Sequence, residues 1–419
     1  MVASTDIKFY VHSNNNAPQL QNAYGSMIGV LDACLVNGIS LGLASSLTAM
    51  GTTVTAVFST AHNLMQYQVL KIVGANQAEY NGEHRILTVP NATSVTFELG
   101  SAPSTTTATG TITASLPPLG WEKPFSSANA AGGGKAAYRS KNMLLPSRPF
   151  LRVVDELDPA YTATYAKFAK VGLVEDMVSI DTLLGVQAPY DALNPNKNWV
   201  GTGAGGEAFN GWSKWYYSTV SSASINSAAR ESNGGTNGNA PWFLVGNGDY
   251  FYILPSVTPT DTSPLCYGFG SFKSLLNSDS ANNFICAHIN YVSVSSPISL
   301  GSYSGLGGRS TQSIILLQRN HAQNTQFQSA NNTSTVFSGS ALLSGANDYI
   351  GISGITPFTP VYIVESVLRG ELIGLFWLHQ RKPYINKQFI EDGGALYIAI
   401  DFSPYSANSG QIVFKAGDL

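Results

Sequence analysis

Short runs in which apolar and polar residues alternate follow one another between residues 51 and 115. A period of two in residues that are often β-branched is typical of strands with one buried face. Gly74, the pair Asn81-Gly82 and Gly100 lie between the runs, where turns are expected. The pattern predicts a compact unit of five strands, a small barrel or sandwich. The positions that define the runs are Val54, Ala56 and Phe58; Val69, Ile72 and Val73; Ile86, Leu87 and Val89; Val95, Phe97 and Leu99; and Thr107, Thr109, Thr111 and Thr113.

A helix is predicted before this unit. Apolar residues recur there at spacings of three and four, which predicts a helix over residues 18–37 that ends near Gly38. The polar run at residues 13–16 is expected to cap the helix, with Pro18 in its first turn.

The remaining sequence predicts a larger, β-sandwich-like body. Residues 150–157 are a predicted strand and residues 181–186 a predicted short helix. Residues 161–174 fit either a helix or a strand, and their β-rich composition favours a strand. Beyond residue 212, short apolar runs alternate with loops rich in Gly, Ser and Asn, which favours a sandwich or barrel. The predicted fold class is α+β, mainly β, and multi-domain. Its parts are residues 1–50 with a strand and the helix, the inserted module at 51–115, and the main body at 116–419.

The chain carries little charge. Charged residues make up 11% of its 419 residues, against about 25% in an average soluble domain. Neutral surfaces suit large assemblies, because a charge buried between subunits is costly. The net charge of −3 gives no basic stripe for nucleic acid. The apolar stretch 361–378 is interrupted by Glu365, Arg369 and Glu371, so no membrane insertion is predicted.

Cysteine and histidine spacings predict no metal site and no cofactor. Cys34, Cys266 and Cys286 match no metal motif and are expected to be buried thiols, with a Cys266–Cys286 pair left open. The six histidines form no H-x-H or H-x-x-x-H spacing. His62 is expected to make a structural hydrogen bond. No catalytic, metal-binding or cofactor-binding residue is predicted, and the chain is expected not to be an enzyme.

Two motifs can be interpreted either as ordinary structure or as a functional site. Gly201-x-Gly203-x-x-Gly206 matches the dinucleotide fingerprint but lacks the strand before it and the helix after it, so a loop is favoured. A cluster of acidic residues could hydrolyse glycosidic bonds if one carboxyl were held protonated, or could bind Ca²⁺, but solvated charge is favoured. The acidic residues are Asp155, Glu156, Asp158, Glu175, Asp176 and Asp181.

Aromatic residues are dense in two predicted strands near residues 212–217 and 242–252. Such rings can form sugar platforms, yet alternation along a strand places some on each face, so core and subunit interface are favoured. The candidate interface or glycan contacts are Trp212, Trp215, Tyr216, Trp242 and Tyr250.

Residues 53–99 resemble a small β-module that recurs in tail and baseplate proteins of bacteriophages. The resemblance implies a spacer and contact domain without known chemistry. The matching motifs are Thr60-x-His62-x-Leu64, Ile72-x-Gly74-Ala75, Tyr80-Asn81-Gly82 and Val95-Thr96-Phe97.

Further segments are similar to a family of structural proteins from tailed phages, mostly without assigned function. Glu371 and Trp377 depart from that family, whose members often read RGRLPGL there. The resemblance implies a virion component of the tail, in the baseplate or neck, that contacts other copies of itself and other virion proteins. The protein would be made in the host bacterial cytoplasm and carried in the virion. The matching segments are 29–39, 120–125, 135–140, 165–185, 241–254 and 369–383.

Three alternatives stay open. The first is a host-recognition fibre that binds surface glycan through the aromatic strands. The second is a decoration protein of the capsid or collar. The third is a carbohydrate-degrading tailspike that uses the acidic cluster, although the sequence lacks the repeated strand ladder of a β-helix.

Overall fold

The computed structural model of the chain describes residues 2–159, 161–201, 210–219, 234–260, 264–289, 306, 315–332, 358–378, 383–405 and 408–419. These residues form mainly β-structure, arranged as two open sheets and one closed barrel. The first strands are β1 (Lys8–Val11), β2 (Ile39–Met50), β3 (Thr53–Phe58), β4 (Val69–Ala75), β5 (Gly82–Asn91), β6 (Ser94–Glu98), β7 (Gly110–Leu116), β8 (Trp121–Ala128), β9 (Gly133–Ser140), β10 (Phe150–Glu156), β11 (Phe168–Ser179), β12 (Thr182–Ala188) and β13 (Ser213–Tyr216). The later strands are β14 (Trp242–Gly246), β15 (Tyr250–Pro255), β16 (Tyr267–Ser271), β17 (Lys273–Ser274), β18 (Asn283–Cys286), β19 (His288–Ile289), β20 (Ile315–Leu317), β21 (Gln328–Asn332), β22 (Phe358–Val364), β23 (Leu368–Leu378), β24 (Gln388–Asp392), β25 (Ala395–Tyr405) and β26 (Asn408–Asp418).

The predicted helix is shorter than residues 18–37. Helix α1 (Ser26–Leu31) runs directly into a π-helical segment, Asp32–Asn37, and the helical stretch ends at Gly38 as predicted. The polar run at residues 13–16 does not cap α1, because Asn14 is buried and its side chain accepts a hydrogen bond from the backbone of Val11. Two 3₁₀ turns complete the described helical structure, at Ala78–Tyr80 and Ala163–Tyr165.

The alternating stretch forms a closed barrel in the order β2-β3-β6-β5-β4-β7. All five predicted runs are strands, β3 to β7, but the barrel has six strands rather than five. The sixth, β2, comes from residues that the sequence analysis placed in the N-terminal part. It lacks clean alternation because its register shifts near Gly42, whose φ is +84°.

Threonines line part of the outer surface of the barrel. Thr48 on β2 is paired with Thr55 on β3, and Thr55 is paired with Thr96 on β6. Thr96 is in turn paired with Thr88 on β5, and their hydroxyl oxygens are 2.7 Å apart. We name these four residues the threonine row. Because paired residues of antiparallel strands point to the same face, the row is a continuous uncharged strip.

The two open sheets form the body. The larger has the order β1-β14-β15-β16-β18-β20-β21-β22-β23-β26-β25-β24, with β17 paired to β23. The smaller, seven-stranded sheet has the order β19-β13-β11-β10-β9-β8, with β12 paired to β11. The predicted strand at 150–157 is confirmed as β10. The predicted helix at 181–186 is wrong, because the chain turns back after Ser179 and Thr182–Ala188 pairs with β11 as a hairpin.

A single buried apolar cluster joins these parts. It includes Leu31 of α1, Val54 of the barrel, Val153 of the seven-stranded sheet and Leu244 of the larger sheet. Hydrophobic burial therefore couples the barrel to the body. Among the described helices, none has the length and hydrophobicity needed to span a membrane.

The three cysteines are buried and unpaired, as thiols. Cys286 Sγ donates a hydrogen bond to the backbone carbonyl of Cys266 over 3.7 Å. Burial raises the pKa of both thiols, which keeps them protonated and unreactive at neutral pH.

Candidate functional site

Charged side chains occupy one face of the seven-stranded sheet. Lys135 on β9 is paired with Val154 on β10, which is paired with Lys170 on β11, and Lys170 is paired with Lys214 on β13. Paired positions share a face, so three lysines lie on one side of the sheet. The opposite side carries Val153 and its neighbours in the main apolar core. This sheet therefore has one apolar and one polar face, although both are largely buried.

The segment that follows β12 covers the polar face and leaves a cleft of about 480 Å³. We name it the charged cleft. Its walls combine apolar groups such as Val154, Leu183 and Trp199 with ionisable side chains. The ionisable residues are Lys135, Arg152, Glu156, Asp158, Lys170 and Asp181.

Every charge in this set has a partner. Lys135 Nζ lies 2.8 Å from Asp181 Oδ1 and 3.7 Å from Glu156 Oε1. Arg152 Nη2 donates to the same Asp181 oxygen over 2.8 Å. Lys170 Nζ lies 3.3 Å from Asp158 Oδ2. Three cations and three carboxylates thus leave the lining close to neutral.

Burial and pairing set the ionisation of these groups. Burial lowers the pKa of Lys170, and the nearby Asp158 carboxylate partly opposes that effect. Burial likewise lowers the pKa of Arg152, opposed by Asp181. For Asp181, burial acts to raise the pKa, but the hydrogen bond and charge of Lys135, together with Arg152, outweigh it and the pKa is lowered. Asp181 is therefore a carboxylate at neutral pH and a poor general acid.

Arg152 is the most constrained of the cleft's cations. Its side chain is 4% exposed, and its guanidinium carbon lies 4.5 Å from the centre of the Trp199 ring. Nε donates to the carbonyl of Ile180 over 2.9 Å. Nη1 has no hydrogen-bond partner among the described residues, and neither has Oε1 of Gln187, another lining residue. Two residues of the cleft lining thus carry a buried donor and a buried acceptor that have no hydrogen-bond partner among the described residues.

A second pocket of about 410 Å³ adjoins the charged cleft. We name it the side pocket. Tyr190 and Gln187 line both cavities, and Gly185, Leu193 and Phe327 contribute to the side pocket alone. The two cavities therefore lie side by side and share the part of their walls that Tyr190 and Gln187 form.

The acidic cluster predicted from the sequence is divided by the fold. Glu156, Asp158 and Asp181 line the charged cleft, but Glu175 bonds to Arg319 and Gln318. Asp176 accepts a hydrogen bond from the backbone of Met177. Asp155 lies on the opposite face, completely buried, where it holds the start of α1.

Asp155 has the raised pKa that a general acid needs, but not the position. Burial raises it to about 6, opposed by hydrogen bonds from the Tyr217 hydroxyl and from backbone N–H groups near Met27. Since Asp155 does not line the cleft, its raised pKa cannot serve acid catalysis on a ligand bound there.

The five aromatic contact candidates are buried in the folded chain. The indole N–H of Trp215 donates to the carbonyl of Cys286 over 3.0 Å, and that of Trp242 donates to the carbonyl of Pro18 over 2.9 Å. Their interface or glycan role stays a prediction, but rings without an exposed face cannot stack on a sugar, so the charged cleft is the better candidate site. The exposed fractions are 0% for Trp212, 0% for Trp215, 3% for Tyr216, 2% for Trp242 and 4% for Tyr250.

Two further motifs have structural explanations. Gly201 donates its backbone N–H to Asp158, while Gly203 and Gly206 lie outside the described residues. Across the described part of the chain, no three His, Cys, Asp or Glu side chains come together in a way that could hold a metal ion.

Comparisons with known proteins are sparse. No model of a known protein family matches the sequence, and no curated protein matches it. Among solved structures, the phage phi92 endosialidase is similar over 91% of this chain, with 9% sequence identity and a TM-score of 0.16. The chain spans about half of that structure, 52% of its length. A likeness this low carries no argument about fold or function.

Proposed function

We propose that the chain is a structural component of a tailed-phage virion that acts through contacts between subunits. The proposed place is the tail, in the baseplate or neck, as a homo-oligomer that also contacts other virion proteins, without catalysis. The observation that carries this proposal is the uncharged strip that the threonine row forms on the outer surface of the barrel. The sequence motifs shared with phage tail modules support it.

The outer surface of the barrel suits a protein interface. Besides the threonine row, Leu43 on β2 and Val73 on β4 flank Thr113 on β7, to which both are paired. Leu43 is 61% exposed and Val73 is 49% exposed. Burying Leu43 and Val73 removes apolar area from water, and neither they nor Thr113 and the threonine row carry a charge.

The motif residues of the module act in the barrel's own structure. The ring of His62 accepts a hydrogen bond from the backbone of Leu64 over 2.9 Å, and its other nitrogen lies 3.3 Å from the carbonyl of Ser94. Asn81 bonds through its amide to both the N–H and the carbonyl of Ala75. The predicted structural role of His62 is confirmed. These hydrogen bonds stabilise the fold of the barrel itself, as is expected of a contact domain.

Virion composition tests the proposal. Mass spectrometry of purified phage is expected to find the chain at stoichiometric level, and its absence would end the proposal. Immunogold labelling then separates baseplate from neck, and also detects the alternatives of a host-binding fibre or a capsid decoration.

A charge placed on the barrel tests the contact surface. Thr48→Lys in the threonine row is expected to reduce incorporation into virions by about tenfold or more, because an unpaired ammonium must lose its water at the interface. Ser126→Lys is the matched control, since Ser126 is an exposed strand residue on β8, away from the barrel. Equal incorporation of both variants would show that the threonine row is not a contact.

A further inference from the structure

We propose that the charged cleft and the side pocket together bind a neutral oligosaccharide. This inference goes beyond virion assembly, since it gives the folded chain a ligand site of its own. It also differs from a glycan platform on the aromatic strands, whose rings are buried.

The charge pattern of the cleft selects a neutral ligand. Lys135, Arg152 and Lys170 are each matched by a carboxylate within the cleft, so a ligand with net charge would place an uncompensated charge in a largely buried site. A sugar hydroxyl both donates and accepts hydrogen bonds. It can therefore bind an ammonium and its partner carboxylate together without breaking the pair.

Two buried polar atoms point to the same chemistry. Arg152 Nη1 is a donor and Gln187 Oε1 an acceptor, and neither has a hydrogen-bond partner among the described residues. Both residues line the cleft. Buried polar atoms in native proteins are rarely left without a hydrogen-bond partner. An unpaired donor together with an unpaired acceptor suits a ligand that carries hydroxyls, because a hydroxyl can pair with either.

The remaining wall supplies apolar contact. Leu183 and Tyr190, which are half-buried, line the same cleft and would face the C–H groups of a sugar ring. The guanidinium of Arg152 lies against the Trp199 ring, which holds both in place before a ligand arrives. A mostly formed concave site with a few fixed polar groups is the usual design for small ligands.

The volumes of the two neighbouring cavities give room for more than one sugar unit. Each cavity, about 480 Å³ and about 410 Å³, is in the range that holds a small ligand. Because Tyr190 lines both cavities, an oligosaccharide that occupies both would contact Tyr190 between them. The side pocket adds Leu193 and Phe327 as further apolar surface.

Binding by the purified full-length chain is the first test. The probes are hexamers of glucose, mannose and galactose, with oligosialic acid of the same length as the charged comparator, measured by isothermal titration and by ligand-observed NMR. At least one neutral hexamer is expected to bind, and oligosialic acid is expected to bind at least about tenfold more weakly. If no neutral hexamer binds, or if the charged oligomer binds best, the proposal is overturned.

Matched lysine variants locate the site. Lys135→Met removes a cleft ammonium that lies 2.8 Å from Asp181 and is 23% exposed. Lys123→Met is the control, because Lys123 lies 2.7 Å from Asp32, is 25% exposed and lies outside the cleft. We expect Lys135→Met to weaken binding about tenfold and Lys123→Met to leave it unchanged.

Tyr190→Ala tests the junction of the two cavities. It is expected to weaken binding of the hexamer more than binding of the corresponding monosaccharide, since only the hexamer reaches both cavities. Circular dichroism and thermal unfolding verify that each variant is folded. Hexamer binding by folded Lys135→Met and Tyr190→Ala at wild-type strength would place the ligand elsewhere and overturn the assignment. Loss of the chain from virions would contradict the proposed function but leave this test unaffected.

Discussion

Asp155 accepts a hydrogen bond from the backbone N–H of Met27, 3.0 Å away, although the two residues are 128 positions apart in the sequence. Its other carboxylate oxygen accepts a hydrogen bond from the Tyr217 hydroxyl over 2.7 Å. The buried carboxyl thus joins the start of α1 to the seven-stranded sheet and to the segment after β13. Folding carries this carboxyl out of water, which is why its pKa rises to about 6.

The raised pKa of Asp155 predicts a pH dependence of stability. Its usual pKa is 3.8, so between about pH 4 and pH 6 the folded chain binds more protons than the unfolded chain. The contribution of Asp155 to the free energy of unfolding therefore falls as pH rises through this window, by about 3 kcal/mol in total. Urea unfolding at a series of pH values measures it.

Asp155→Asn is the variant that isolates this effect. Its amide keeps an acceptor for the Met27 N–H but cannot ionise, so the fall between about pH 4 and pH 6 should be smaller by about 3 kcal/mol than in the wild type. An unchanged pH profile would mean that other groups cause the dependence. Asp155→Ala, which leaves the N–H and the hydroxyl unpaired, should lose about 2–4 kcal/mol near pH 4, and this loss should shrink by about 3 kcal/mol above about pH 6, because alanine cannot ionise either.

The buried Lys170–Asp158 ion pair predicts a large coupling free energy between the two residues in folding. Both side chains are 4% exposed, and the nitrogen and oxygen lie 3.3 Å apart. Lys170→Met should cost about 3–5 kcal/mol, because it removes the ammonium that lies beside the buried carboxylate of Asp158. Adding Asp158→Asn should recover most of that loss, because the amide is neutral and still accepts from Gly201. Denaturant unfolding of the four proteins in this cycle gives the coupling energy.

An exposed ion pair is the control for that cycle. Lys273 Nζ lies 3.0 Å from Glu371 Oε1, and the lysine side chain is 66% exposed. Lys273→Met should change stability by less than about 1 kcal/mol. Similar losses at both sites would contradict the burial argument.

A substitution at Gly172 tests how tightly the Trp199 ring is packed beside the cleft. A Cβ at this position would lie 2.6 Å from the Trp199 ring, so Gly172→Ala must displace the indole. We expect a loss of about 1–3 kcal/mol and a shifted resonance for fluorine-labelled Trp199. Gly100→Ala is the control, because a Cβ there meets nothing within 4 Å. An unshifted Trp199 resonance in Gly172→Ala would show that the ring is loosely placed.

The buried hydrogen bonds of Gln68 attach the barrel to the body. Its side chain is fully buried, and its amide nitrogen donates to the carbonyl of Phe9 on β1 and to the side chain of Asn14. Gln68→Leu should cost about 2–4 kcal/mol, because these partners stay buried without it. Calorimetry measures the loss. Gln77→Leu, which removes exposed hydrogen bonds to Thr109, should cost less than about 1 kcal/mol, and equal losses would refute the distinction.

The barrel was predictable because its strands have one buried and one solvated face. Val54, Ala56 and Phe58 of β3 alternate with partly exposed residues, so the pattern is visible along the chain. Strand β2 escaped prediction because its pattern is broken, with Leu43 exposed and only Leu47 and Ala49 fully inward in its second half. Position in a closed barrel, rather than alternation, makes β2 a strand.

The charged cleft could not be predicted, because its signal depends on register. Lys135, Val154 and Lys170 lie far apart in sequence, and only the pairing of β9, β10 and β11 brings them together. One local sign was present: Lys170 interrupts an apolar run, which is unusual for a buried strand. The burial of the five aromatic candidates was likewise not visible in the sequence, because alternation along a strand does not show that both of its faces are covered.

The barrel begins and ends at neighbouring points. Ile39, its first residue, is paired with Leu116, its last, and Gly38 lies so close to the carbonyl of Leu116 that a Cβ would come within 2.8 Å of it. The chain therefore leaves the body and returns to it at one point, where Ile39 and Leu116 are paired. A module exchanged between residues 38 and 117 would therefore keep the flanking strands in place if it preserved this one attachment point and the buried contacts that Val54 and Gln68 make with the body.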